Sequence, residues 1–128
     1  MDPMGYGQYR SASLNTQVAG ASPVQLVLVL MNGLLDEMVR VRAHIEHLRY
    51  EEKGRSINKC IDMFAALTSS LDFELGGEAV TQLGRLYDYC TARLNQAGCQ
   101  LDTGMVEEVI GLVTTLRDAW QKVEDRSA

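Results

Sequence analysis

Proline is nearly missing from this 128-residue chain: Pro3 and Pro23 are its only two, so nothing of that kind interrupts a helix after Val24. Cysteines are few and odd in number. Cys60, Cys90 and Cys99 match neither a zinc spacing nor a thioredoxin motif, and no signal sends them to an oxidising compartment, so they read as free thiols. A membrane-length apolar run is also missing. The most apolar stretch, Val24 to Leu35, would rise about 18 Å as a helix against a bilayer core of about 30 Å. Nor does it read as a secretory signal, with only Arg10 upstream and Asp36-Glu37 immediately after. The chain therefore reads as a soluble protein of the cytosol with no direct membrane insertion. With 12 basic against 17 acidic side chains the formal charge is -5, which argues against a general nucleic-acid footprint.

What is present is helical periodicity. Ser22, Pro23 and Gln25 make a helix start: a capping serine, proline in the first turn, and glutamine at the position that completes a capping box. From there Val27, Met31, Leu34, Met38, Val41, Ile45 and Leu48 alternate steps of four and three, the seam of a bundle. The first helix is expected to run to about Arg49, with "YEEKG" as the turn. A second begins near Ser56 along Ile57, Ile61, Phe64, Thr68, Leu71 and Leu75, flanked by Cys60 and Leu67, and Gly76-Gly77 end it. A third starts near Glu78, follows Val80, Leu83, Tyr87, Cys90 and Leu94, and stops at Gly98. Asp102 caps a fourth, with Val106, Val109, Val113, Leu116, Trp120 and Val123 as its seam. The fold class is all-α, an antiparallel four-helix bundle over residues 21–125. Residues 1–20 lack a sustained period and read as a mobile or short-helical N-terminal segment.

Catalytic and metal chemistry finds little footing. A di-metal carboxylate bundle needs Glu-x-x-His pairs, and neither His44 nor His47 has a glutamate three residues before it. "ELGGEA" lacks the strand and lysine of a phosphate loop, and no cysteine or serine has a recognisable base. No catalytic residue, metal site or cofactor is assigned. Apolar content beyond the seam is the unusual feature: Leu26, Val29 and Leu30 with Gly33 form a second stripe on the first helix, and Leu86 and Tyr89 add bulk beside Tyr87 on the third. Two readings remain open, a thick or covered core and a groove for an amphipathic partner helix.

The segments "GASPVQLVLVLMNGLL", "LDFELGGEAVTQLGRLYDYC" and "VEEVIGLVTTLRDAW", with Tyr9 ahead of them, resemble the flagellar secretion chaperones called FliS. The resemblance runs in order over essentially the whole chain. It implies a non-enzymatic helical bundle that binds the disordered C-terminal segment of flagellin in the cytoplasm, prevents premature polymerisation, and presents the subunit to the cytoplasmic domain of the flagellar type III export gate. On this resemblance the flagellin-binding groove comprises Leu26, Val29, Leu30, Gly33, Leu86, Tyr87 and Tyr89. Tyr6 and Tyr9 belong to an N-terminal cover that also serves gate recognition. Ser22, Pro23, Gly76, Gly77 and Trp120 match structural motif positions. One departure is Met31-Asn32-Gly33, where the family commonly carries an aromatic followed by Asp-Gly. The rival reading is a helical homodimer, or a weak homodimer when free, using the extra apolar stripe as a self-interface.

Overall fold

The computed structural model describes residues 20–72 and 76–127, and its elements are α1 (Pro23–Glu46), α2 (Tyr50–Ser69), α3 (Gly77–Gln100) and α4 (Thr103–Ser127). Tyr6, Tyr9, the expected N-terminal segment up to residue 19, and Leu75 lie outside the described residues. Each helix packs on its two neighbours in a closed ring, α1 on α2 and α4, α3 on α2 and α4, which places α1 and α3 at opposite corners of an antiparallel bundle.

α1 begins as its sequence predicts. The Ser22 hydroxyl accepts from the Gln25 backbone N–H at 3.1 Å, and the Gln25 side chain accepts from the Ser22 N–H at 3.0 Å. Asp102 likewise accepts from the Met105 N–H at 3.3 Å at the head of α4. The third helix starts at Gly77, close to the expected Glu78, whereas the ends that follow differ from expectation. α1 stops at Glu46 because Leu48 takes a left-handed conformation (φ 57°) and the Arg49 N–H closes onto the His44 carbonyl at 2.8 Å. "YEEKG" is then no turn but the opening of α2, with Glu51 and Glu52 in the first turn, where the helix dipole favours carboxylates. α2 ends at Ser69, well before Gly76; the Ser70 hydroxyl donates to the Leu67 carbonyl at 2.6 Å.

Gly98 does not stop α3. It lies buried within the helix, where an added Cβ would come within 2.4 Å of Ile57 Cδ1, and the stop falls at Leu101 in the left-handed region (φ 55°). Here glycine serves close helix approach, and leucine takes the conformation usually left to glycine.

The core holds Met31, Leu34, Met38, Val41 and Ile45 of α1, Tyr87, Cys90 and Leu94 of α3, and Val106, Val109 and Val113 of α4 from the expected seams. On α2 it holds Ile57 and Phe64 with the flanking Cys60 and Leu67, while Ile61 and Thr68 are only partly buried. Burying each large side chain stabilises by about 1.5–3 kcal/mol. The seam ends fray outward, with Leu48 61% and Val123 39% exposed. Glu37 is buried among these residues, and Arg40 Nη1 meets its carboxylate at 3.1 Å from a more exposed position. Register between α1 and α4 is marked by three polar pairs: Gln25 with Glu124, Asn32 with Arg117, and Arg42 with Glu107. Along them α1 advances seven and then ten residues while α4 retreats by the same steps.

A left-handed leucine is strained by about 1–2 kcal/mol, whereas asparagine tolerates that region. Leu48→Asn, which gives up little burial, is expected to raise unfolding free energy by about 0.5–1 kcal/mol in urea titration; a decrease contradicts the strain argument. The same turn carries a pH effect. Arg49 Nε donates to His44 Nδ1 at 3.0 Å, and burial, followed by the Arg49 charge, holds His44 below its ordinary value of 6.5. A group with a depressed folded pKa adds stability above the unfolded value and loses it as pH falls through the folded one. Thermal stability should therefore decline below pH 6.5, and less so in His44→Asn, whose side-chain oxygen still accepts from Arg49.

Candidate partner-binding surface

Pro23, Val24, Leu26 and Val27 at the start of α1 meet Ser70 and Leu71 after α2, Tyr87 of α3 and Trp120 of α4 around a mostly apolar cleft of about 170 Å³ at one end of the bundle. The capping box fixes how α1 enters this end, so Leu26 and Val27 face the cleft from a defined helical turn. On the far wall, Tyr87 is buried and packs its ring against Phe64, with centroids 6.4 Å apart and planes at 44°. Its phenol is pushed up to about 12, by burial first and then by Cys90. Burial in turn raises the Cys90 thiol to about 11, so neither group supplies a base or nucleophile near neutral pH.

The structure brings together only part of the groove expected from the sequence. Leu26 and Tyr87 share the cleft, joined by Pro23 and Trp120 from the motif residues. Leu30 and Leu86 pack as partly buried residues on the core, and Val29 is half-buried on α1. Gly33 faces α2, where Met63 Sδ would lie at an ordinary contact distance of 3.5 Å from an added Cβ. Gly76 precedes α3 as its N-cap and Gly77 opens it with φ 63°. Tyr89 stands apart on the outer α3–α4 seam, 46% exposed. Its hydroxyl donates to Glu108 Oε2, while Glu108 Oε1 accepts from Arg93 Nε at 2.7 Å. Val24, Val27 and Leu71 join the cleft although the sequence reading did not assign them to the groove. Leu71 was legible as a seam residue, but its position after the end of α2 was not.

Among the described residues, no group of three or more His, Cys, Asp or Glu side chains is placed to hold a metal ion, and no helix is long and apolar enough to cross a membrane.

These features define a helical bundle with an apolar recess at the end where α1 begins. The family model described as Flagellar protein FliS matches residues 5–127, and the chain belongs to that family. It is 35% identical to flagellar secretion chaperone FliS of Salmonella typhimurium over 125 residues, 97% of this chain and 93% of the relative. Flagellar secretion chaperone FliSB of Pseudomonas aeruginosa is 36% identical over 91% of this chain and 92% of its own length. FliS of Bacillus subtilis, likewise named a flagellar secretion chaperone, is 37% identical over 91% and 84%.

Cys60 and Cys90 are buried and Cys99 is exposed. In the native protein a thiol reagent should modify Cys99 quickly and leave the other two until denaturant is added. Rapid native modification of Cys90 would contradict the packing at the Tyr87 wall.

Proposed function

We propose that this protein is a non-enzymatic flagellar export chaperone of the cytosol that binds the disordered C-terminal segment of flagellin. It keeps that segment from polymerising prematurely and delivers the subunit to the cytoplasmic domain of the export gate. Family membership supports the chaperone class. The single observation that carries the binding role is the apolar cleft lined by Leu26, Val27, Tyr87 and Trp120, which offers a client's apolar anchors a recess rather than a flat face.

The physical task is to hold a chain that would otherwise self-associate. Ordering a disordered segment costs about 2–5 kcal/mol of the gross interaction, so a cleft of this size serves as one anchor within a longer wrapped interface. Leu30 and Leu86, partly buried at the edge of the core, extend the apolar surface along α1 and α3. Tyr6 and Tyr9 belong to a cover that the client displaces, and once released they serve recognition at the export gate.

Trp120 is the chain's only tryptophan, and it lines the cleft, so it reports occupancy. Titration with a peptide of about forty residues copying the C-terminus of the cognate flagellin should give one-to-one binding, a gain of helix by circular dichroism and a blue shift of Trp120 emission. Leu26→Asp, which puts a carboxylate into the recess, should weaken binding at least about tenfold while the bundle still unfolds cooperatively. An unchanged affinity in Leu26→Asp removes the cleft from the interface, and no binding by the wild-type protein removes flagellin as the client.

A further inference from the structure

We propose that Glu108 and Arg93 are positioning residues for Tyr89, holding its ring across the α3–α4 seam as a preset aromatic anchor for the client. The inference rests on the reading that the client is the flagellin segment and that it reaches the outer face of α3.

An exposed tyrosine on a helix ordinarily samples several rotamers with its hydroxyl in water. Tyr89 does not have that freedom. Both oxygens of one carboxylate are engaged, Oε2 by the Tyr89 hydroxyl and Oε1 by Arg93 Nε, while Arg93 Nη1 donates onward to Gln96 Oε1 at 3.2 Å. Arg93 lies one turn beyond Tyr89 on α3 and Glu108 lies across the seam on α4, so the tether is set by helix packing rather than by a loop. A hydrogen bond to an ionised acceptor is stronger than one between neutral groups, and here the acceptor carries a second, cationic donor that keeps it ionised. The Tyr89 phenol is held above its ordinary value chiefly by the bond to Glu108, and the Glu108 carboxyl is held below its own by the same bond and by Arg93.

The surroundings fit an anchor. Leu86, one turn before Tyr89, and Met105 and Leu112, on either side of Glu108, are partly buried and pack on the core. Apolar positions thus neighbour the tether along both helices, and Tyr89 keeps nearly half its surface open. Fixing a rotamer-rich side chain in advance removes part of the ordering cost of association, and an aromatic ring supplies large contact area for few torsions.

The test compares the full-length wild type with Glu108→Ala, Tyr89→Phe, their double variant and Glu108→Gln. Each is titrated calorimetrically with the flagellin C-terminal peptide, and Tyr89 ionisation is followed by carbon NMR of its ring. Glu108→Ala and Tyr89→Phe should each weaken peptide binding about three- to tenfold, and the double variant should be no weaker than either single, because each change cuts the same tether. Glu108→Gln, whose amide oxygen still accepts from the phenol, should recover part of the affinity. Tyr89 should titrate above the ordinary tyrosine range in the wild type and return to it in Glu108→Ala, a signature that a general loss of packing would not produce.

Wild-type affinity in Glu108→Ala, or losses that add in the double variant, overturns the positioning role. Failure of the wild type itself to bind sinks the flagellin reading and the anchor with it. It is distinguishable because the Tyr89 titration still shows whether Glu108 holds the ring.

Discussion

α1 packs against both α2 and α4, and that double obligation shapes the rest of the molecule. A helix at the corner of a bundle must present apolar side chains over a wide arc, since the two neighbours lie in different directions from its axis. This accounts for much of the excess apolar content of Val24–Leu35. Met31 and Leu34 fill the centre, Gly33 faces Met63 of α2, and Asn32 turns to Arg117 of α4. Contacts of α1 with its neighbours are more extensive than those of α3 with the same two helices. α3 is thus the less embedded corner, and it carries Tyr89 on its outer face.

The cleft arises from unequal helix lengths. α2 has 20 residues where α1, α3 and α4 have 24, 24 and 25, and the chain leaves the helical path at Ser70. Among the described residues, α2 does not extend over the first turn of α1 and Trp120 of α4 at that end, and apolar side chains line a recess there. The opposite end turns through left-handed leucines at 48 and 101, and there Lys53 Nζ donates to the Gly98 carbonyl at 2.8 Å on the wall of a more open and more polar recess. Among the described residues the recess at the start of α1 is the more apolar and the more enclosed of these two.

Helix number, seam residues and the capping box of Ser22 were legible because steps of three and four leave a periodic trace. Helix ends were less so. Gly54 and Gly98 look like breaks in a linear reading, yet both lie inside helices, and the actual stops are leucines with no turn signature. Long-range pairing left no trace at all. Nothing near Tyr89 in the chain announces Glu108, nineteen residues away, and the burial of Glu37 is not visible in a local pattern that places it beside Asp36. For the same reason the expected groove mixed two kinds of residue. Leu26 and Tyr87 meet in space, whereas Gly33 and Tyr89 sit on faces that α1 and α3, at opposite corners, do not share.

The most direct test of the central claim, that the apolar cleft at the start of α1 receives the client, is backbone hydrogen exchange of the full-length protein with and without the flagellin C-terminal segment. The account predicts slowed exchange over the first turns of α1 and the chain around Ser70 and Leu71, with little change at the opposite end near Lys53 and Gly98. Protection confined to the end near Lys53 and Gly98, or found elsewhere with none at the start of α1, would contradict it.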